Sequence, residues 1–222
     1  MYWQEETSKT INSQETVILS LKVKIAQLPV DHIAQLSQLI LEKAPYLKNE
    51  SNFGIHTIHG AESGNGWHRV EDGSAVFFPS ARSLLRLQLP SAIASKVSRD
   101  LNNLTARLFD HDLTLRQAKI NKLYSCDTIF ARYVADDYKD ENKFLYHINN
   151  KLKQLNITAN KLLCGMTHTI KTPKGKILTR SLMLADLDIA DALLLQSLGI
   201  GDYKQFGCGL FLPHKKVEDV WS

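Results

Sequence analysis

The chain carries eight histidines, the side chain whose ordinary pKa near neutrality lets it both take and give protons. Two of them, His56 and His59, stand in the run FGIHTIH and lead into Gly60, Gly64 and Gly66. Residues 53–59 read as a strand. Side chains three apart on a strand point to opposite faces, so the two histidines share one site only if the backbone bends or bulges between them. His56 is the first candidate for proton transfer and His59 the second. Tyr46 and Lys48 lie between the first helix and this strand, where they would assist. The pair does not suggest a metal. The local pattern is a strand, no Cys or Glu joins the histidines, and no set of acids has ligand spacing. No metal and no other cofactor is expected.

A second set of residues suits a polyanion. Residues 113–222 hold 16 basic and 11 acidic side chains, whereas residues 1–112 hold 11 and 12. The stretch 161–185 contains Lys161, Lys171, Lys174, Lys176 and Arg180 and no acid. Such a local cationic patch fits phosphate, as in RNA. Arg82 and Arg86, on the expected third strand, would add base or phosphate contacts. Residues 199–213, GIGDYKQFGCGLFLP, hold four of the chain's 11 glycines. Backbone amides in a loop of this kind can meet phosphate, which makes Gly201, Lys204, Gly207 and Gly209 RNA-facing candidates. His214, Lys215 and Lys216 extend the basic surface. The loop follows a helix and precedes a strand, the reverse of a dinucleotide-binding fingerprint, and no Gly-Lys-Ser/Thr closes it as in a P-loop.

The elements that must position these residues repeat. Val17, Leu19, Leu21, Val23 and Ile25 alternate as in a half-buried strand. Asp31 is placed to cap a helix with Ile33, Leu36, Leu39 and Ile40 on one face, ended by Pro45. Strands follow at 53–59 and 83–89, then a helix over 91–108 and a strand over 111–120. The second round starts near Cys126: a strand at 128–134, a helix from Asp140 through Leu155, strands at 161–170 and 177–184, a helix from Asp188 to Leu198, and a last strand at 208–212. The order is βαββαβ twice. The expected fold is α+β, two tandem ferredoxin-like units with a C-terminal glycine-rich loop. Residues 1–14 form a polar arm, 15–120 the first unit and 126–216 the second.

Composition bounds the rest. At 222 residues, 44% hydrophobic and 23% charged, the chain reads as a globular protein with a sizeable core. No apolar run is long enough to span a membrane. The polar N-terminus does not read as a signal peptide. Three scattered cysteines, Cys126, Cys164 and Cys208, make neither a disulfide framework nor a zinc site. A reducing cytoplasm is the expected setting.

The sequence resembles the RAMP superfamily of CRISPR-associated proteins, and within it the repeat-processing endoribonuclease of the MYXAN subtype. APYL followed by GIHTI resembles the family's early block. TIFARYV resembles its mid-chain strand, and LLCG with RSLMLADL its last hairpin. LLLQSLGIGDYKQFGCGLFLPHK resembles its closing signature. Only residues 1–14 lie outside the resemblance. It implies that the chain binds a CRISPR repeat and cuts it once without metal, leaving a 2′,3′-cyclic phosphate and a 5′-hydroxyl. It places His56 at the family's early histidine. It further implies retention on guide RNA beside other subunits of a type I effector complex. Whether the parent system destroys invading DNA or serves another purpose, such as guiding a transposon, is left open by the sequence. Two other readings stay open: a non-catalytic RAMP-type subunit that only holds RNA, and a ferredoxin-like module unrelated to RNA. Tandem RNA-recognition motifs are disfavoured, because the strands at 83–89 and 161–170 lack stacking aromatics.

Overall fold

The computed structural model describes residues 15–59 and 75–214. The first half runs β1 (Thr16–Lys24), β2 (Leu28–Pro29), α1 (Ile33–Lys43), β3 (Gly54–His56), β4 (Val76–Phe77), β5 (Leu84–Pro90), α2 (Ser91–Leu101), β6 (Thr105–Leu108) and β7 (His111–Lys122). The second runs β8 (Ile129–Ala135), α3 (Glu141–Gln154), β9 (Lys161–Thr172), β10 (Gly175–Ala185), α4 (Ile189–Leu198) and β11 (Leu212–Pro213).

The first sheet has the order β3-β5-β1-β7-β6 and the second β11-β8-β10-β9. Setting β6 aside, the strands of each βαββαβ round take the same spatial order, second-third-first-fourth, so both halves are ferredoxin-like. All ladders within these two sheets are antiparallel. β2 and β4 form a small separate pair.

Alternation decides which face of the first sheet is buried. Leu85, Leu87 and Leu89 of β5 join Leu19 and Leu21 of β1 and pack with Leu36 and Ile40 of α1 and Val97 and Leu101 of α2. Arg86 and Gln88 therefore emerge on the opposite face. This first core also takes in Tyr133, Ile170 and Cys208 from the second half. A second core gathers Phe144, Ile148 and Leu152 of α3 with Leu182, Leu184, Leu195 and Phe211.

Three local expectations change. The helix expected over 91–108 stops at Leu101, and residues 105–108 become β6 paired with β7. Leu104 and Leu108 fit helical spacing, but Asn103 adopts a positive φ of 63° and turns the chain. The Asp31 side chain does not cap α1. Its Oδ2 accepts the Lys171 backbone N–H at 3.0 Å, tying the β9–β10 hairpin to the first half. The last strand, expected at 208–212, is reduced to Leu212 and Pro213, with Cys208 making a single bridge to Tyr133.

The glycine-rich segment folds back on itself. The Ile200 N–H donates to the Gly209 carbonyl at 2.9 Å, and the Gly209 N–H donates to the Tyr133 carbonyl at 2.7 Å. A Cβ on Gly209 would overlap the Ile200 carbonyl, whereas one on Gly201 would have only the Lys151 ammonium nearby. Both glycines have similar positive φ, 69° and 74°. Gly201→Ala should thus cost only backbone strain, about 1 kcal/mol. Gly209→Ala should cost about 3 kcal/mol or more, because fixed backbone must also move. Denaturant midpoints of the two variants check this ordering.

Candidate active site

β3 is three residues long and pairs with β5 alone, in the register His56 opposite Arg86. Arg86 in turn lies opposite Ser20 of β1, and Ser20 opposite Lys119 of β7. Residues directly opposite in an antiparallel sheet share a face. His56, Arg86, Ser20 and Lys119 therefore form one row across the sheet, on the face turned away from α1 and α2. The row runs from buried to open: His56 is 7% exposed, Arg86 and Ser20 are intermediate and Lys119 is exposed.

The electrostatics of this row are unusual. Burial, and then the Arg86 charge, push the His56 imidazole down to about 3, so it is neutral in the free protein. Its Nε2 is buried and makes no hydrogen bond among the described residues. Gln88, two residues beyond Arg86 on the same face, donates through Nε2 to the Ser197 carbonyl at 2.7 Å and leaves Oε1 buried without a partner. Arg86 is itself lowered by burial, and no carboxylate pairs with it among the described residues. A half-buried cation without a carboxylate partner thus shares one face with a buried acceptor and a buried imidazole nitrogen that lack hydrogen bonds among the described residues. Native interiors rarely tolerate this unless a ligand completes it.

His59 joins the same neighbourhood. The strand ends at His56, so strict alternation does not carry through to residue 59. Burial lowers the His59 imidazole well below its usual range, followed by the charges of Arg132, His32, His56 and Arg86. Its Nε2 shares a 2.9 Å hydrogen bond with Thr57 Oγ1. The glycines expected to follow it, Gly60, Gly64 and Gly66, lie outside the described residues. His32 is a structural neighbour: Nδ1–H donates to the Pro29 carbonyl at 2.9 Å and Nε2 accepts the Ile58 N–H at 3.1 Å.

Other expected site residues are placed elsewhere. The Tyr46 hydroxyl donates to Asp100 of α2 at 2.6 Å, its ring lies under the Lys96 ammonium, and its pKa is raised by burial and by Asp100. It belongs to the helix layer, across the sheet from His56, and does not assist it. Arg180 is 6% exposed and fully committed. It pairs with buried Asp136 at 3.2 Å, donates to the Gly165 and Lys139 carbonyls and lies over Phe144. It holds the second half together and has no guanidinium to offer phosphate. Arg82 sits in the turn before β5, not on the strand, with its N–H bonded to Ser80 Oγ.

The glycines also take a structural role. Gly207 and Gly209 are buried, and their N–H groups serve the Lys204 and Tyr133 carbonyls, not a ligand. Gly207 comes so close to the Ile55 carbonyl that a Cβ would stand 3.2 Å from it. Gly201 and Lys204 remain accessible. With Lys48 and Tyr203 they line a cavity of about 370 Å3 between the end of α1 and the loop. Lys171, Lys174 and Lys176 are exposed at the tip of the β9–β10 hairpin, with Lys171 directly opposite Lys176. Lys215 lies outside the described residues. Among the described residues no three histidine, cysteine or acidic side chains converge as metal ligands. No helix among them is long and apolar enough to cross a membrane.

Sequence reasoning missed Arg132 and Lys119. Arg132 interrupts the apolar run TIFARYV, and that interruption was the available signal. Lys119 becomes visible only through the β1–β7 register.

The sequence model of the Cas6 family, described as Cas6 Crispr, matches residues 17–216. The chain belongs to the Cas6 family. It is 24% identical over 208 residues to the CRISPR-associated endonuclease Cas6 of Myxococcus xanthus, covering 93% of this chain and 85% of that protein. Among solved structures it resembles a CRISPR associated protein Cas6, with a TM-score of 0.62 at 13% identity over 90% of this chain and 100% of the other. It also resembles the product of a Cas6-related gene from Pyrococcus furiosus, with a TM-score of 0.63 at 12% identity over 88% and 97%.

The buried neutral state of His56 sets an acid limit on stability. Its folded pKa lies below its unfolded value of about 6.5. The unfolded chain therefore takes up a proton that the folded chain refuses as pH falls from 6.5 towards 3. Stability is full above 6.5 and is lost below it. His56→Gln should remove about 2 kcal/mol of the loss between pH 7 and pH 5. Urea midpoints of both proteins at the two pH values measure it.

Proposed function

We propose that this chain is an endoribonuclease that cuts CRISPR precursor RNA within its repeats and needs no metal ion to do so. One observation carries the reading: in a chain of the Cas6 family, a buried His56 Nε2 and the neighbouring Arg86 have, among the described residues, neither a hydrogen-bond partner for the one nor a carboxylate for the other.

The chemistry follows from these groups. His56 is neutral and so has a lone pair for the 2′-hydroxyl proton. The freed 2′-oxygen attacks the neighbouring phosphorus, the bond from phosphorus to the 5′-oxygen breaks, and the departing 5′-oxygen takes a proton from water, while the imidazolium later returns its proton to solvent. The products are a 2′,3′-cyclic phosphate and a 5′-hydroxyl. Arg86 steadies the charge that builds on the phosphate oxygens. An imidazole near 3 is a weak base in the free protein. An incoming phosphate replaces some of the opposing positive charge with negative charge, which raises the imidazole towards a useful value. RNA binding thereby switches the base on.

Affinity comes from exposed cations. Lys119 continues the row outward. Lys171, Lys174 and Lys176 form a second basic surface on the hairpin, and Gly201 and Lys204 lie at the accessible edge of the glycine-rich loop. These contacts suit a repeat hairpin read by shape and phosphate. They also suit retention of the cut RNA beside further subunits of a type I effector complex. A division into units of residues 15–120 and 126–216, after a polar arm of residues 1–14, accompanies this reading.

Three outcomes test it. His56→Ala should abolish cleavage of the chain's own repeat RNA in chelator and leave binding within a few-fold. A variant that still cuts at the wild-type rate moves the base elsewhere, and a wild type that binds without cutting favours an RNA-holding subunit. In the pH profile, the single-turnover rate at saturating protein should fall in acid with a higher apparent pKa than the second-order rate, because bound phosphate raises His56. Coincident values would remove the switching argument. Reversing charge at Lys171, Lys174 and Lys176 together should weaken RNA binding at low salt and flatten the slope of log K against log salt by about 2 to 3, one unit per lost phosphate contact. An unchanged slope would show that the hairpin is not used.

A further inference from the structure

A second cavity, of about 300 Å3, opens where the polar face of the first sheet meets the end of the second half. Its lining includes Arg86, Asn121, Lys122, Tyr124, Gln196 and Phe211. It belongs to the same row as His56, because Arg86 is shared.

Four features of this seam cavity point to one kind of occupant. First, no acidic side chain among the described residues lines it. Glu15 reaches Lys122 at 3.8 Å, with both side chains largely exposed. Second, Arg86 brings a partly desolvated guanidinium with no carboxylate partner among the described residues. That asks for an anion. Third, the Tyr124 ring is 69% exposed, yet its backbone is held. The Gln196 side chain, itself buried, donates through Nε2 to the Tyr124 carbonyl at 2.9 Å. An aromatic ring on a fixed backbone, left in solvent at the rim of a cavity, is a ready stacking surface. Fourth, Asn121 spends its amide nitrogen on Ile18, Ser20 and Lys119. The floor beside Arg86 is thereby rigid. An anion next to a flat apolar face describes a nucleotide, and the volume suits a small ligand.

We propose that the seam cavity receives one unpaired nucleotide of the bound RNA, the one adjoining the phosphate that is cut, with its base stacked on Tyr124 and its phosphate on Arg86. The proposal rests on the RNA-cutting reading above and deepens it. Tyr124 acts as a positioning and specificity residue: it fixes where along the repeat the reacting phosphate stops. His56 and Arg86 supply no such register, because every nucleotide carries the same phosphate.

The test uses the full chain and the CRISPR repeat RNA of the genome that encodes it. Single abasic sites are placed in turn on each side of the cut. Binding and single-turnover cleavage are measured for wild type, Tyr124→Phe and Tyr124→Ala. One abasic position adjoining the cut should weaken wild-type binding roughly tenfold, and Tyr124→Ala should weaken binding of intact RNA by a similar factor, the size of one lost stack. Combining both should cost no more than either alone, and Tyr124→Phe should match wild type. Tyr124→Ala should also scatter cleavage onto neighbouring phosphates. Multiplying losses, or a Tyr124→Ala protein with wild-type affinity and cut position, would overturn the cavity while leaving the nuclease reading intact. A wild type that neither binds nor cuts the intact repeat would overturn both. Because the ring is exposed, a misfolded Tyr124→Ala is readily told apart by its thermal midpoint against Tyr124→Phe.

Discussion

The close approach of backbone to backbone at the glycine-rich segment is the contact on which the candidate site depends. β3 is a short edge strand with a ladder on one side only. Alone, such a strand has little to fix it. Its other flank meets the second half: Gly207 lies against the Ile55 carbonyl, and the space above Gly54 is filled by Leu210. Any Cβ at these points would push the two apart. His56 is the last residue of β3, so its position is set from both halves at once. Burial of the imidazole is the main reason it stays neutral.

Two arginines on the sheets differ in how their charge is accommodated. Arg180 has a carboxylate, two carbonyls and an aromatic face. Nothing remains to recruit a ligand, and removing Asp136 would strand its charge at a cost of about 3–5 kcal/mol. Arg86 is half-buried and has no carboxylate partner among the described residues. The fold bears that cost in the free state, and on the proposed reading a bound anion offsets it. Residue type and net charge are equal in the two cases. Only the surroundings separate a clasp from a binding group.

How much of this was legible follows from the same distinction. Period-two alternation in LLRLQLP was enough to put Arg86 and Gln88 on one face and the leucines on the other, and the doubled βαββαβ order was visible in the apolar pattern. His56 was legible because a histidine sat in a strand before glycines. What failed were questions of partners and turns. Arg180 read as surface because it stood among lysines in an acid-free run. Its acid, Asp136, is 44 residues away in sequence. Tyr46 was near His56 in sequence but lies across the sheet. Leu104 and Leu108 extended a helical period past Asn103, whose positive φ ends it. The glycines were read as open to RNA, whereas Gly207 and Gly209 are required by close packing. That requirement exists only once residues 200 and 209 have met.

The basic groups fall into two classes by exposure, and physical chemistry gives each a different job. The exposed Lys171 and Lys176 face each other across the hairpin ladder, an arrangement that destabilises the free protein slightly. In water and salt each contributes mainly through counterions released when phosphate replaces them. Their pull is long in range, indifferent to base and weakened by salt. Arg86 works at short range in a drier site, where screening is weak and geometry strict. On the proposed reading, lysines on the hairpin gather any RNA but do not choose which phosphate is cut. That choice requires a group whose contact fails when the chain slips by one nucleotide. Among the described residues the seam beside Arg86 has the burial, the absence of acids and the fixed aromatic rim needed to impose that penalty.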